Sequence, residues 1–222
     1  ALVGCGSSSA DNGADADSNL SGSITAAGSS ALKPLVDDAA DLFNEKYPDV
    51  NITIDAGGSG EGLKQVSEGT VNIGNSDVEA AEKLDATKAS ALVDHKVCVV
   101  TMAPIVNKDV TAGGVKNLTK AQLTDIFTGK ITNWKDLGGS DEAIVVIGRE
   151  AASGTRGAFE ELLEVKNKCA YAQELDSTGA VLAKVAATPG AIGYVSLDVV
   201  DKTVAALKLD GVDATEDNIK AG

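Results

Sequence analysis

The sequence is short of aromatic residues, histidine, arginine and long hydrophobic runs, and each shortage excludes a class of function. Aromatic residues make up 3% of the 222 residues, which leaves little for the base stacking of single-stranded nucleic acid binders. No run reaches 18 apolar residues, so the sequence predicts no membrane-spanning helix. The only histidine, His95, has no metal-like companion. We therefore expect no metal, no cofactor and no catalytic residue.

The chain also lacks the positive charge that nucleic acid binding requires. Its formal net charge is −14 and its pI is about 4.4, which argues against a nucleic acid partner. A local anion site is not excluded, because salt screens charges beyond about 8 Å. Hydrophobic residues make up 43% of the chain, enough for one large or two modest α/β domains with aliphatic cores.

One stretch combines several features of an oxyanion site. The apolar run 144–147 predicts a buried strand, and 158–165 has the spacing of a helix. Ser153-Gly154-Thr155 lies between them, where free N–H groups and the helix dipole favour an anion. Both arginines of the chain, Arg149 and Arg156, flank this turn, and a guanidinium fork fits carboxylate or phosphate-like oxygens.

The same device of strand, small turn and helix occurs twice more, at residues 24–31 and 52–60. A third short strand at 71–74 ends at Asn75-Ser76-Asp77, where ligands of open α/β sheets bind. Three such turns can converge on one ligand if their strands are parallel. An ordinary Ser/Thr helix cap beside a surface arginine is the alternative for any one of them.

The order of predicted elements indicates two lobes. Units of βαβαβ and αβαβ, joined by extended strands at 97–106 and 191–196, predict an α/β protein with parallel-rich sheets and right-handed crossovers. We expect one lobe at 20–97 plus 195–222 and an inserted lobe at 98–194, with a cleft between them. The last residues, 204–222, do not complete a compact domain, so we expect that further residues follow them in the full protein.

The first residues predict a lipid anchor. Leu2-Val3-Gly4-Cys5 resembles the lipobox of a bacterial lipoprotein signal peptide, with Cys5 as the lipidated residue. Residues 6–19 contain Gly, Ser, Ala, Asn and Asp without apolar periodicity, which is typical of a flexible tether. The alternative is a chance sequence in a terminal tail.

Four motifs in this order resemble the phosphate-binding proteins of bacterial phosphate ABC transporters, over about residues 20–215. They are 27–31, 57–60, 74–77 and Arg149-x-x-x-Ser153-Gly154-Thr155, with further similarity at 132–134 and 190–194. The resemblance implies a two-lobed periplasmic-binding-protein fold of type II, with two sheets flanked by helices and joined by two crossover strands. It implies a monomeric protein that captures inorganic phosphate and delivers it to permease subunits. In Gram-positive bacteria these proteins are lipoproteins on the outer face of the membrane, which agrees with Cys5.

The resemblance also implies the ligand set. Ser30 with the N–H of Ala31 is expected to cap the first helix, and Ser59 the second. Where many relatives have an aromatic residue, this chain has Ala31, whose N–H serves equally well. The complete expected set is Ser29, Ser30, Ala31, Ser59, Asp77, Arg149, Ser153, Gly154 and Thr155.

Asp77 is the residue expected to discriminate between anions. Phosphate at neutral pH still carries a proton that a carboxylate accepts, whereas sulfate has none to offer. A site built for such a hydrogen bond rejects an analogue without it by about 10⁴–10⁵. Arg149 supplies the counter-charge. The alternatives are a helix cap for Asp77 and a surface salt bridge with Glu150 or Glu160 for Arg149.

Other functions remain open at this point. A phosphate-ester enzyme requires a nucleophile with a base, or a metal cluster, and neither appears in the motifs. A structural or adhesive lipoprotein does not explain three anion-type turns. A binding protein for sulfate, molybdate or tungstate is disfavoured by Asp77. Cys98 and Cys169 could form a disulfide in an exported protein, although Cys98 falls in a predicted buried strand.

Overall fold

The computed structural model describes residues 20–215, 217 and 218, so Cys5 and the predicted tether lie outside the described residues. The first body, residues 20–92, is built on a small parallel sheet. Its strands have the order β2-β1-β3, and all pairs are parallel. Its elements are β1 (Gly22–Gly28), α1 (Lys33–Lys46), β2 (Val50–Ala56), α2 (Ser59–Ser67), β3 (Ile73–Asn75), a 3₁₀ turn (Ala80–Glu82) and α3 (Ala86–Ser90).

The second body, residues 102–215, has a five-stranded sheet with the order β7-β6-β8-β4-β9. Strand β6 is parallel to β7 and β8, whereas β4 is antiparallel to β8 and β9. A separate parallel pair joins β10 to β5. Its elements are β4 (Met102–Val106), α4 (Lys108–Ala112), β5 (Asn117–Leu118), α5 (Lys120–Phe127), a 3₁₀ turn (Trp134–Leu137), β6 (Val145–Arg149), α6 (Gly154–Leu162), β7 (Gln173–Leu175), α7 (Thr178–Ala187), β8 (Ala191–Ser196), a 3₁₀ turn (Leu197–Val199), β9 (Ala205–Ala206) and β10 (Lys208–Leu209).

Two buried clusters cover the two faces of the larger sheet. On one face Phe127, Trp134, Phe159 and Tyr194 lie in a single core, and the Phe159 and Tyr194 rings stack 3.9 Å apart. On the other face Val181 and other aliphatic residues form the second core. Because helices cover both faces, the strand Ala191–Ser196 is buried throughout, as expected for a strand that reads as a continuous apolar run.

Local sequence signals place several elements as predicted. Helix α5 begins after Thr119, which forms a capping box with Gln122. The strand at 191–196 and the helices after 31 and 158 also form, the helices with boundaries shifted by a few residues. The α/β class with parallel-rich sheets is confirmed.

The chain after residue 195 differs from the predicted lobe division. That segment was expected to return to the first lobe. Instead, Ala205–Ala206 pairs with β4, Lys208–Leu209 pairs with β5, and Leu207 is buried in the second body. Within residues 20–215, 217 and 218 the chain passes between the two sheets once. The reason is that β8 pairs antiparallel with β4, which keeps both predicted connecting strands inside the second sheet.

The connection between the bodies also differs from its prediction. A buried strand was expected over 97–106, but regular structure begins only at Met102. Val97 is 74% exposed and Val99 is 91% exposed. Cys98 is accordingly exposed rather than buried, and both it and the half-buried Cys169 are free thiols.

No helix in the described part of the chain is both long and apolar enough to cross a membrane.

Candidate functional site

The turn after β1 supplies the first hydroxyl group of the site. Gly28 has φ +139, and a Cβ there would lie 2.0 Å from the Asn75 carbonyl oxygen, so only glycine fits beside β3. The next residue, Ser29, is 3% exposed. Its Oγ accepts the N–H of Ala31 at 3.1 Å and of Leu32 at 3.2 Å, and it donates to Asp77 Oδ1 at 2.6 Å.

The capping role expected of Ser30 is therefore wrong. Ser29 accepts the N–H of Ala31, because its side chain lies over the turn, and α1 begins after Leu32 without a side-chain cap. Ser30 faces the second body instead, where its Oγ lies 3.1 Å from Thr178 Oγ1.

The capping role expected of Ser59 is also wrong, although the residue lies at the site. Helix α2 begins at Ser59 itself, after Gly58, and has no side-chain cap. The Ser59 hydroxyl is fully buried and accepts the backbone N–H of Asp77 at 3.1 Å. Ser59 thus fixes the backbone from which the Asp77 carboxylate projects.

The second body contributes the start of α6. Ser153 caps this helix, since its Oγ accepts the N–H of Arg156 at 3.1 Å. Thr155 is 2% exposed and donates its hydroxyl to Asp77 Oδ2 at 2.8 Å. Asp77 therefore accepts one hydroxyl from each body. It does not cap a helix, which was the alternative for this residue.

Gly154 lies at a close contact between the two bodies. A Cβ at this position would be 2.1 Å from Ser59 Oγ and 2.6 Å from Ser59 Cβ. Nearby, the Gly60 N–H donates to the Ala152 carbonyl oxygen at 2.9 Å. The turn of the second body thus packs directly on the helix start of the first.

Arg149 is at the end of β6 and is 1% exposed. Its Nε donates to the Leu175 carbonyl oxygen at 3.2 Å, Nη2 to that of Asp176 at 2.9 Å and Nη1 to Thr178 Oγ1 at 3.1 Å. These bonds use three of the five N–H donors of a guanidinium. Burial lowers the pKa of Arg149 from its usual value, while Tyr194 and Asp77 act in the opposite direction. The surface salt bridge that was the alternative for Arg149 is excluded by this burial.

Arg156, the second arginine beside this turn, belongs to a buried network next to the site. Its Nε contacts Glu160 Oε1 at 2.8 Å, and its Nη1 donates to the Arg149 carbonyl oxygen at 2.9 Å. Burial acts to lower the pKa of Arg156, but the hydrogen bond and charge of Glu160, together with Tyr171 and Glu174, raise the pKa above its usual value. Glu160 is 2% exposed and also accepts from the Tyr171 hydroxyl and the Asn167 N–H.

Tyr194 joins this network to the strand that carries Arg149. Its hydroxyl lies 3.3 Å from that of Tyr171 and accepts the Arg149 N–H at 3.3 Å. Burial raises the pKa of Tyr194 to about 12, so the phenol is neutral at physiological pH. The backbone of Arg149 is thus held by a neutral phenol, and its side chain by separate acceptors.

Sequence reasoning missed two residues at this site. Thr178, 2% exposed, contacts both Arg149 and Ser30; the signal was the Ser177-Thr178-Gly179 turn before a helix, a fourth copy of the repeated device. Lys83 donates to the carbonyl oxygens of Ala151 at 3.0 Å and Ser153 at 3.4 Å. Burial lowers the pKa of Lys83. Its position directly after the 3₁₀ turn Ala80–Glu82 gave no sequence signal.

The arrangement suits binding rather than chemistry. Hydroxyls, backbone N–H groups, one guanidinium and one carboxylate face a common junction between the bodies. His95 is exposed. Over residues 20–215, 217 and 218, no three His, Cys, Asp or Glu side chains are placed to hold a metal ion.

The chain is similar to known proteins in sequence and in fold. A family model described as a PBP superfamily domain matches residues 13–222. The chain is 48% identical over 210 residues to the phosphate-binding protein PstS of Bacillus subtilis, an alignment that covers 94% of this chain and 69% of the relative.

Two solved structures are similar in fold. One is a putative phosphate ABC transporter substrate-binding protein with bound phosphate from Clostridium perfringens, with a TM-score of 0.82 and 37% identity, covering 90% of this chain and 81% of that one. The other is an ABC-type phosphate transport receptor from Vibrio cholerae, with a TM-score of 0.64 and 30% identity, covering 89% and 81%.

Proposed function

The chain belongs to the PBP superfamily and, within it, to the PstS phosphate-binding proteins, and from this membership we propose that it binds inorganic phosphate between its two bodies. It is the solute-binding component of a phosphate ABC transporter and not an enzyme. Its task is to capture the anion outside the cytoplasm and deliver it to the permease subunits.

The observation that carries this proposal is the position of Asp77. Its two carboxylate oxygens accept hydroxyls from opposite bodies, Ser29 at 2.6 Å and Thr155 at 2.8 Å. A carboxylate placed among donors at an anion site is costly unless the anion brings a proton. Phosphate at neutral pH does, and the Asp77 carboxylate accepts it. Sulfate, molybdate and tungstate do not, so their oxygens would face the carboxylate unpaired.

Arg149 provides the balancing charge. Three of its N–H donors hold it to acceptors in its own body, which leaves two donors for an anion. A buried guanidinium strengthens an oxyanion bond, because the local dielectric is lower than in water. Burial lowers the pKa of Arg149, and the nearby Tyr194 and Asp77 act against this effect.

The proposed site comprises side chains and backbone N–H groups from both bodies. Asp77 and Arg149 are direct ligands, and so are Ser29 and Thr155, whose hydroxyls rotate from Asp77 to the anion when it binds. The N–H groups of Ala31 and Gly154 lie at the turns after β1 and β6. Ser59, Ser153 and Ser30 contribute by holding these groups in place. All are at the junction between the bodies.

Calorimetric titration of the purified protein with phosphate, sulfate and molybdate tests this function. We expect saturable phosphate binding and rejection of the other two anions. Asp77→Asn should increase sulfate binding by at least about tenfold, since an amide donates to an unprotonated oxygen. The matched control is Asp55→Asn, an exposed carboxylate at the end of neighbouring β2, which should leave selectivity unchanged. Equal binding of sulfate and phosphate by the wild type would contradict the proposal.

The protein is extracytoplasmic, and we propose that Cys5 anchors it by a lipid to the outer face of the cell membrane of a Gram-positive bacterium. The lipobox-like Leu2-Val3-Gly4-Cys5 and the following tether support this. The protein acts as a monomer that meets the permease at this membrane. Cys5→Ser should move the full-length protein from the membrane fraction to the medium; unchanged fractionation would contradict the anchor.

A further inference from the structure

Thr178 connects the charged group of the site to the other body. It is the first residue of α7 and is 2% exposed. Its Oγ1 accepts from Arg149 Nη1 at 3.1 Å, within the second body. The same hydroxyl lies 3.1 Å from Ser30 Oγ in the first body, and the Thr178 N–H donates to that Ser30 oxygen at 3.1 Å. A continuous hydrogen-bonded chain thus runs from the guanidinium to the turn that carries Ser29.

The Thr178 hydroxyl is not needed to begin its helix. Ser177 already caps α7, since its Oγ accepts the N–H of Ala180 at 3.3 Å. The Thr178 hydroxyl therefore does not cap the helix. Its two side-chain partners, Arg149 and Ser30, both belong to the phosphate site.

The two bonds behave differently when the bodies separate. Ser29, Ser59, Ser153 and Thr155 are all 0–3% exposed, so an anion held among them leaves only if the bodies move apart. That movement breaks the Ser30–Thr178 contacts, which cross between the bodies. The Arg149–Thr178 bond lies within one body and survives. The cross-body contacts therefore stabilise the closed form alone, and such contacts slow ligand release.

We propose that Thr178 is a positioning residue of the phosphate site: it orients the Arg149 fork and, through Ser30, latches the two bodies together around the anion. The inference rests on the proposed function and adds to it a residue that sets how long phosphate stays bound. In the closed form Thr178 holds both partners; in the open form it still holds the guanidinium ready for the next anion.

Stopped-flow release of inorganic phosphate from the wild type and variants tests the latch. Thr178→Val, which keeps the shape and removes the hydroxyl, should raise the phosphate dissociation rate about fivefold, as expected for the loss of the neutral hydrogen bond to Ser30 that crosses between the bodies. Thr178→Ser should restore most of the wild-type rate. The matched control is the neighbouring Ser177→Ala, which removes the helix cap and should lower the Tm but leave phosphate release unchanged.

Ser30→Ala tests the same contact from the other body and serves if valine is not accommodated at 178. Ser30→Ala and Thr178→Val should be less than additive in their effect on the dissociation rate, because they remove one shared contact. A release rate within about twofold of the wild type in both variants overturns the latch. A wild type that binds no phosphate overturns the proposed function instead.

Discussion

Arg149 is held by three acceptors of its own body and is 1% exposed, whereas Asp77 is held by one hydroxyl of its own body and one of the other. The positive group of the site is thus prepared before the bodies meet. The negative group reaches its full set of partners only when they meet. The charge is a fixed feature of the second body, and the discriminating contact is a feature of the closed junction.

The cores of the two bodies show the same contrast. The second body covers both faces of its sheet with helices and buries two clusters of side chains. In the first body, α1 has no buried residue, and Leu42 is 67% exposed. A buried guanidinium requires fixed acceptors, because an unpaired buried charge is costly, and the better packed body provides them. Hydroxyls need less support, since they rotate to suit their partner.

The largest expected effect comes from breaking the network behind Arg149. Glu160→Gln removes a carboxylate that is 2% exposed and pairs with Arg156 at 2.8 Å. The loss leaves the Arg156 guanidinium with the half-exposed Glu174 alone of its two ion-pair partners. It should lower the free energy of unfolding by about 3 kcal/mol, measured by urea denaturation. The control is Asp37→Asn in the first body, whose pair with Lys33 is on the surface and should cost below about 1 kcal/mol. Equal losses of unfolding free energy in the two variants would contradict the contrast between a buried ion pair in the second body and a surface pair in the first.

Removing the fixed charge should be next in size. Arg149→Ala should weaken phosphate binding about 100-fold, a change of about 2.7 kcal/mol, measured by calorimetry. Arg149→Lys keeps the charge but loses the planar fork of donors, so its phosphate affinity should lie between those of the wild type and Arg149→Ala. Urea denaturation of each variant separates lost binding from lost folding. A folded Arg149→Ala variant with wild-type affinity would place the charge outside the site.

Preventing close approach should have an intermediate effect. Gly154→Ala places a Cβ 2.1 Å from Ser59 Oγ across the junction. Because this clash is between bodies, phosphate affinity should fall about tenfold, while the Tm without phosphate changes little. The control is Gly157→Ala in the same helix, whose Cβ would meet Val78 Cγ1 at an ordinary 3.6 Å. Similar affinities for the two variants would show that the junction tolerates separation.

The smallest effect is expected from the exposed side of the junction. Lys83→Met removes an ammonium that donates to the Ala151 and Ser153 carbonyl oxygens. We expect about threefold weaker phosphate binding, with a difference that shrinks as salt rises. The exposed Lys88→Met in α3 is the control.

The difference in phosphate affinity between the wild type and Lys83→Met should depend on pH. Burial lowers the pKa of Lys83 below its usual 10.5, so the folded chain releases this proton before the unfolded chain does. Stability from this group therefore rises with pH between the folded pKa and 10.5. Over that window the ammonium loses its charge, and the advantage of the wild type over Lys83→Met in phosphate affinity should disappear. An advantage that persists above pH 10.5 would contradict this.

Some parts of the fold were predictable because their signals are local. Thr119 and Gln122 specify a capping box within four residues, and the apolar run at 191–196 specifies a buried strand by itself. The connection at 97–106 was not predictable in the same way. Its apolar residues are equally suited to a buried strand, but only those from Met102 onward have a neighbouring strand to pair with.

The site shows the same division. The repeated turns marked Ser29, Ser59, Asp77, Arg149 and Thr155 as neighbours, and the structure brings all of them to one junction. The hydroxyl of Ser29 rather than Ser30 accepts the Ala31 N–H, and Ser59 holds Asp77 rather than a helix end. Adjacent serines are chemically alike, so their separate partners depend on how the chain turns at Gly28.

By itself, the sequence determined which residues were available: two arginines near one turn, small residues at each helix start, and one carboxylate after the third strand. These follow from local spacing, since a strand, a turn and a helix form from neighbouring residues. The tertiary structure alone decided that Lys83 lies at the junction, that Thr178 contacts both Arg149 and Ser30, that the chain after 195 stays with the second sheet, and which hydroxyl faces which partner. Such contacts join residues as far apart as Ser30 and Thr178, and their pairing depends on packing between bodies that no short stretch of sequence encodes.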